Sequence, residues 1–218
     1  MKRMKMYNII FDVDSTLVTI EGLDFLAELK NKHADLAPLT AQAMNGQLSM
    51  REAMEIKMNT IRPSYSDVQK MGQAYLEHVV PGTHETIRHL QAVGHKIWIL
   101  TGNFQPAVGM LADDLGIPPG QVITNEIEFD KHGEYVGINL DHPLSNNHGK
   151  AKIIQQYGKQ LQNAIMIGDG ATDLDTKSVV AKFIGFGGVV FRSTIAQTAD
   201  MYITKLDLRE VLNYIETL

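Results

Sequence analysis

The sequence of 218 residues contains no cysteine. Disulfide bonds and thiolate chemistry are therefore excluded, which removes cysteine nucleophiles from the candidate mechanisms. No apolar run approaches the ~20 residues of a membrane-spanning helix. The apolar stretch after the basic first residues is also too short for a signal peptide. We expect a soluble, cytoplasmic protein with no membrane partner.

Basic residues are also in the minority, with 20 lysines and arginines against 25 acidic residues and a net charge of -5. Because a general nucleic-acid binder usually presents a basic face, we expect no nucleic-acid partner. The eight histidines show no metal-site spacing, and we interpret them all as surface or incidental residues. A chain of this size can bury roughly 70% of its unfolded surface, which suits one α/β domain with an inserted piece.

Two aspartates, Asp12 and Asp14, follow an apolar, β-prone stretch over residues 7–11. Such a stretch is typical of a buried parallel strand, and ligands bind at the C-terminal edge of open α/β sheets. On a continuing strand the two side chains would point apart, so the chain must turn if both face one site. One aspartate could then attack a phosphorus atom while the other handles the proton of the leaving group. The alternative is an ordinary turn, since Asp and Ser are common turn residues.

Three further motifs follow in the chain. Thr101 ends a second apolar strand, Lys150 opens a helical stretch, and Asp169 and Asp173 lie in a glycine-flanked loop after a third strand. Two aspartates, then Thr, Lys and Gly-Asp-Gly-x-x-Asp, in this order, resemble the haloacid dehalogenase-type phosphotransferases. Within that superfamily the chain is most similar to the phosphoserine phosphatase family. The segments that carry this closer resemblance are 12–16, 81–83, 167–173, 183–188 and 201–204.

The predicted fold is α/β, with a Rossmann-like parallel sheet core, an inserted helical cap and a small β-hairpin. The core would consist of residues 1–18 and 78–218, and the cap of residues 19–77. Ser49 and Glu52 form a capping box ahead of one amphipathic helix, and a second apolar stripe runs through Tyr75. Apolar residues alternate within 122–140 on both sides of a potential turn, which predicts the hairpin. A cap in this position would act as a lid.

The resemblance implies a phosphomonoesterase that works through an aspartyl phosphate. Asp12 would be the nucleophile, and Asp14 would be the general acid for ester cleavage and then the base for water. Lys150 can neutralise Asp12 and the transferring phosphoryl group, although a lysine considered alone is usually solvated. Thr101 can donate its hydroxyl to a phosphoryl oxygen, and Gly102 allows the backbone to approach the ligand.

Asp12 and Asp169 together would repel a phosphate dianion, and a hard divalent cation would remove this repulsion. Mg²⁺ is the expected metal, because it takes carboxylate, carbonyl and water oxygens. The resemblance adds the backbone carbonyl of Asp14 as a third ligand, whereas spacing alone permits both aspartates to be ligands. Asp173 could hold a metal-bound water or Lys150, with a helix cap or surface acid as the alternative.

The resemblance places the substrate pocket at Glu21, Met44, Lys57 and the segment Thr101-Gly102-Asn103. Glu21 corresponds to an acid that meets the substrate ammonium, and Met44 to a pocket methionine. Lys57 stands where the family has an arginine that clamps the substrate carboxylate, and Asn103 replaces a glycine. We expect L-phosphoserine, or another small phosphate ester, as the substrate. Whether Lys57 or Arg62 meets it, and whether the chain forms a homodimer, stay open.

Two other classes of protein use similar residues. A phospho-acceptor signalling domain also gathers acids, a threonine and a lysine around Mg²⁺, but it predicts a shorter chain without a cap. A catalytically silent relative could keep the fold as a binding module, although all four motifs are intact. Both alternatives predict no steady release of phosphate from small esters.

Overall fold

The computed structural model describes residues 5–36 and 48–218, so that the predicted pocket residue Met44 lies outside the described residues. At its centre is a six-stranded parallel sheet with the strand order β3-β2-β1-β6-β7-β8. Two further strands form a separate antiparallel hairpin. In chain order the strands are β1 (Asn8–Phe11), β2 (Lys96–Phe104), β3 (Val122–Asn125), β4 (Ile127–Phe129), β5 (Tyr135–Ile138), β6 (Ala164–Gly168), β7 (Lys182–Phe186) and β8 (Met201–Ile203).

Helices connect the strands and cover both faces of the sheet, as parallel sheets require. They are α1 (Gly22–Leu29), α2 (Met50–Ile61), α3 (Tyr65–Glu77), α4 (Thr83–Ala92), α5 (Ala107–Asp114), α6 (Gly149–Tyr157), α7 (Ala171–Leu174), α8 (Ser193–Thr198) and α9 (Glu210–Ile215). Within the described ranges, no helix has the length and apolar character that a membrane span demands.

The first strand occupies the middle of the sheet. Phe11 pairs with Ile99 of β2 on one side and with Ile167 of β6 on the other. All four residues of β1 are buried, and Ile9 and Phe11 pack in one apolar cluster while Ile10 packs in another. Because the strands are parallel and in this register, the residues that follow Phe11, Leu100 and Gly168 meet at one edge of the sheet. The fold therefore brings the predicted motifs together.

Two of the helices described within the helical insert, α2 and α3, begin at clear sequence signals. Ser49 and Ser64 are the N-caps of α2 and α3, and each completes a capping box with an acid three residues later. The strand-like segments that enter and leave the insert pair through a bridge between Val18 and Val79. Helix α3 packs closely on α5 at Gly72, where a side chain would not fit: a Cβ atom there would lie 2.9 Å from the Cα atom of Ala107. The division into core and cap at residues 18 and 78 stays a prediction.

Several local predictions were wrong. The segment Val122–Asn125 is not part of the hairpin but forms the edge strand β3, which hydrogen-bonds to β2. The loop predicted around Asp173 is instead the short helix α7, which is followed by a 3₁₀ turn at Asp175–Ser178. The histidines are not all at the surface, since His95 is buried and its Nδ1 accepts a hydrogen bond from the Tyr7 backbone N–H.

Candidate active site

A cavity of about 430 Å³ opens at the C-terminal edge of the sheet, between the sheet and the helical insert. Nine of the residues predicted from the sequence line it: Asp12, Asp14, Glu21, Lys57, Thr101, Gly102, Asn103, Lys150 and Asp169. Asp173 lies directly behind the wall, with no exposed surface. The fold thus assembles these side chains from segments that are far apart in the chain.

Lys150 joins two aspartates at the floor of the cavity. Its Nζ atom lies 2.7 Å from Asp12 Oδ1 and 2.6 Å from Asp173 Oδ1. Burial lowers the pKa of Lys150, but the two carboxylates outweigh burial and hold its pKa above the ordinary value. The position depends on Gly149, where a Cβ atom would lie 2.1 Å from the Pro143 carbonyl oxygen. The lysine is therefore a buried, protonated cation beside the predicted nucleophile.

Three buried carboxylates form a cluster that suits a metal ion. Asp12, Asp169 and Asp173 each offer an oxygen atom, and these atoms lie within 4.8 Å of one another. Burial and the neighbouring Asp12 carboxylate raise the pKa of Asp169, although Arg192 opposes the shift. A set of carboxylate oxygens is the donor chemistry that hard divalent cations require. The residues present therefore fit a divalent metal.

Asp173 is held by both of its carboxylate oxygens. Besides the contact with Lys150, its Oδ2 accepts a hydrogen bond from the Gly170 N–H at 3.0 Å. Burial and Asp12 raise the pKa of Asp173, while Lys150 lowers it. A Cβ atom at Gly168 would lie 2.2 Å from the Asp173 Cγ atom. The position before Asp169 must therefore be a glycine to leave space for Asp173. The Asp173 side chain both orients Lys150 and accepts a hydrogen bond at the start of helix α7.

Asp14 points away from the carboxylate cluster. The chain turns immediately after it, with Ser15 in the left-handed region at φ 51°. The Asp14 carboxyl accepts hydrogen bonds at 2.8 Å from the Gly22 N–H, the Asn103 side-chain amide and the Tyr75 hydroxyl. Burial raises the pKa of Asp14 to about 8, and the charges of Glu21 and Asp12 add to the shift. The turn gives the two aspartates separate surroundings.

The outer part of the cavity carries the groups predicted to meet the substrate. Glu21 accepts a hydrogen bond from the Ser15 hydroxyl at 2.6 Å, and burial raises its pKa. Thr101 is buried, and its Oγ1 accepts the Asn103 N–H, which leaves its own proton free for a ligand. A Cβ atom at Gly102 would meet nothing within 4 Å, so that there is open space above this part of the backbone.

The structure distinguishes Lys57 from Arg62, the two candidate partners of the substrate that the sequence left open. Lys57 of α2 lines the cavity, whereas Arg62 does not. Arg62 instead donates to the Tyr135 carbonyl oxygen at 3.2 Å and lies over the Tyr135 ring. Of these two residues, only Lys57 is placed to meet a molecule in the cavity.

Two residues at the site were missed by sequence reasoning. Arg192 lines the cavity and contacts Asp169, and it follows the end of β7 at the same sheet edge as the other motifs. The position of Arg192 after a glycine-rich strand end is a sequence signal that could have identified it as a site residue. Tyr75 was assigned to an apolar helix stripe, although a buried tyrosine hydroxyl usually needs a partner. That need was the available signal.

The chain also matches known proteins. The family model for haloacid dehalogenase-like hydrolases matches residues 9–176. The chain belongs to this family. It is 35% identical over 210 residues to the phosphoserine phosphatase of Mus musculus, covering 95% of this chain and 92% of the relative. It is also 35% identical over 202 residues to that of Drosophila melanogaster, covering 91% and 75%.

The solved structures agree with this assignment. A phosphoserine phosphatase solved as a phospho-aspartyl intermediate analogue superposes with a TM-score of 0.81 at 25% identity. The alignment covers 96% of this chain and 99% of that structure. The family member described here is thus a phosphatase, a hydrolase of phosphoric monoesters, and its α/β fold with a parallel sheet is confirmed. Phosphatases of this kind depend on a metal ion, which agrees with the buried carboxylate cluster.

Proposed function

We propose that the protein hydrolyses L-phosphoserine to L-serine and phosphate through an aspartyl phosphate on Asp12. The observation that carries this proposal is the pairing of Asp12 with the buried Lys150 at the floor of the cavity. A nucleophilic carboxylate that attacks a phosphate ester needs a cation to offset the charge of the phosphoryl group. Lys150 supplies that cation, and Asp173 fixes its direction.

The reaction has two steps. In the first, a carboxylate oxygen of Asp12 forms a bond to phosphorus while the ester P–O bond breaks, and Asp14 gives its proton to the leaving serine oxygen. In the second, Asp14 takes a proton from water as the water oxygen attacks phosphorus and the bond to Asp12 breaks. The raised pKa of Asp14, about 8, supports its starting the cycle protonated near neutral pH.

Asp12, Asp169 and the Asp14 backbone carbonyl are the proposed ligands of the metal, for which we propose Mg²⁺. Bound there, Mg²⁺ would offset the negative charge of the carboxylates and of the phosphoryl oxygens. The hydroxyl of Thr101 and the open backbone at Gly102 would bind the phosphoryl group. These contacts position phosphorus opposite Asp12 and involve only groups that line the cavity.

The choice of a phosphorylated amino acid rests on the charges at the rim. Glu21 and Asp24 offer carboxylates for an ammonium group, and Lys57 and Arg192 offer cations for a carboxylate. A substrate that carries both groups matches this pattern, and the named relatives are phosphoserine phosphatases. The Asn103 side chain, which replaces a glycine of the family, is compatible with this substrate because its amide donates to Asp14.

A second candidate is the same chemistry on another small phosphate ester. Lys57 favours it, because a lysine lacks the planar fork with which an arginine grips a carboxylate. We also propose that residues 19–77 act as a cap that closes to exclude water during ester cleavage and opens to admit water for dephosphorylation. Unchanged turnover after crosslinking the cap to the core would refute this opening and closing.

The test is metal-dependent phosphate release from a panel of small esters, with Asp12→Asn as the blank. The panel contains L-phosphoserine, D-phosphoserine, phosphothreonine, phosphoethanolamine and several sugar and polyol phosphates. A preference for L-phosphoserine supports the proposal. Activity confined to other esters replaces the substrate and keeps the mechanism, and no release from any ester rejects both.

A further inference from the structure

Two side chains, Tyr75 and Asn103, donate hydrogen bonds to the Asp14 carboxyl group. We propose that Tyr75 and Asn103 are positioning residues, which orient the Asp14 carboxyl for its exchange of a proton with substrate and water. The proposal rests on the proposed function, because there Asp14 is the general acid and base. Tyr75 comes from the helical insert and Asn103 from the sheet, so the proton-transfer group is held from both sides of the cavity.

The two side chains bind different oxygens of the carboxyl group. Tyr75 donates its hydroxyl to Oδ1 at 2.8 Å, and Asn103 donates its side-chain amide to Oδ2, also at 2.8 Å. The Gly22 N–H adds a second hydrogen bond to Oδ2 at 2.8 Å. Three contacts on two oxygens fix the rotation of the carboxyl plane. Each contact comes from a separate element, namely α3, β2 and the start of α1.

The packing around these contacts favours one arrangement of the Asp14 carboxyl group. Tyr75 is fully buried and Asn103 is 5% exposed. A Cβ atom at Gly22 would lie 2.2 Å from the Tyr75 hydroxyl oxygen and 3.0 Å from Asn103 Oδ1. If Asp14 rotated away, the Tyr75 hydroxyl and the Asn103 amide would lose this partner, and a buried polar group without a partner is costly. This cost favours the observed orientation.

The chemistry of the partners explains why one of them is a hydroxyl. The two N–H groups on Oδ2 can only donate, so they suit an oxygen that stays a hydrogen-bond acceptor throughout. The Tyr75 hydroxyl can either donate or accept. It can therefore accept a hydrogen bond from a protonated Oδ1 before substrate binds, and donate to Oδ1 when that proton is directed to the leaving oxygen or has moved to it. The carboxyl keeps its position through both steps.

The experiment compares two esters that differ in their need for a general acid. The serine alkoxide of phosphoserine is a poor leaving group that requires a proton, whereas p-nitrophenolate leaves without one. For Tyr75→Phe and for Asn103→Ser we expect kcat/KM on L-phosphoserine, or on the best alkyl ester of the panel, to fall about 10- to 100-fold. The value of kcat/KM on p-nitrophenyl phosphate should change less than about threefold, because kcat/KM reports only the steps up to release of the leaving group and not the later attack of water.

The control is Tyr135→Phe, which removes a hydroxyl from another buried tyrosine far from Asp14 in the chain and should change neither rate. Equal losses of kcat/KM on both esters would overturn the proposal, because a structural defect lowers both values alike. Unchanged rates on the alkyl ester would also overturn it. Failure of the wild type on every ester would instead reject the proposed function. If one variant is unstable by thermal unfolding, the other decides the question.

Discussion

Arg192 meets a single oxygen, Oδ2 of Asp169, through two nitrogen atoms: Nε donates a hydrogen bond at 2.9 Å, and Nη2 forms an ion pair, also at 2.9 Å. Asp169 is also one of the proposed metal ligands, so that a guanidinium and a bound divalent cation would share the same carboxylate. The Arg192 side chain is 40% exposed and lines the cavity, which leaves it free to turn toward a bound anion. The pair links metal binding to substrate binding.

Replacing Arg192 should therefore move two affinities in opposite directions. In Arg192→Gln we expect Mg²⁺ to bind more tightly without substrate, because a competing positive charge is lost. We expect KM for L-phosphoserine to rise about 10-fold, because an anion loses a cationic partner. Calorimetric titration of Mg²⁺ and steady-state kinetics measure the two effects. The exposed Arg88→Gln is the control, and a weaker metal affinity in Arg192→Gln would contradict this interpretation.

Removing Lys150 should damage both activity and stability. In Lys150→Met the carboxylates of Asp12 and Asp173 lose the cation that lies between them, and breaking a buried ion pair costs about 3–5 kcal/mol. We expect turnover to fall by about two orders of magnitude or more. Urea unfolding and phosphate release provide the measurements. Lys152→Met changes an exposed lysine on the same helix and should leave both unchanged.

The raised pKa of Asp14 predicts how stability depends on pH in the metal-free protein. Its pKa is about 8 in the folded state and 3.8 in the ordinary state, so the folded protein binds more protons between these values. Stability contributed by this group is therefore present below about pH 4 and is lost as the pH rises toward 8. Each pKa unit corresponds to about 1.4 kcal/mol, which amounts to several kcal/mol in total.

Asp14→Asn removes this titration and keeps the shape of the side chain. In the presence of a metal chelator, the free energy of unfolding of Asp14→Asn relative to that of the wild type should therefore increase from pH 4 to pH 8 and stay constant above pH 8. Denaturant unfolding at a series of pH values measures the difference. A difference that is constant over this range would show that the pKa of Asp14 is not raised.

Lys57 gives a prediction about specificity. In Lys57→Arg the planar fork that the family uses is restored in a cavity position, and KM for L-phosphoserine should fall severalfold. KM for phosphoethanolamine, which lacks the carboxylate, should not change. Arg62→Lys is the matched control, because Arg62 contacts Tyr135 instead of the cavity. A lower KM for both esters in Lys57→Arg would show that the residue meets the phosphoryl group.

The sequence predicts the parallel sheet and the meeting of its motifs because both follow from local patterns. Apolar runs before Asp12, Thr101 and Asp169 identify the strands, and parallel packing brings their ends to one edge. The segment Val122–Asn125 was misassigned because four alternating residues fit a hairpin and a sheet edge equally well. Only pairing with β2, a contact distant in sequence, distinguishes the two.

The missed site residues depend on contacts that no local pattern carries. The periodicity of α3 places Tyr75 on a buried face, but the partner of its hydroxyl lies 61 positions earlier, at Asp14. Arg192 lies 23 positions after Asp169 and belongs to a loop without periodicity. Asn103 was predicted as a substrate contact because of its place in a motif. Its amide direction, toward Asp14, is a property of the folded chain.

In the proposed reaction Asp12 carries the phosphoryl group during turnover. The most direct measurement is rapid acid quenching of the enzyme during hydrolysis of L-phosphoserine, followed by peptide mass spectrometry. We predict one added phosphoryl group on the peptide that contains Asp12, present during turnover and absent both after substrate is exhausted and in Asp12→Asn. Continued phosphate release by Asp12→Asn, with no modified peptide at any time, would contradict the account.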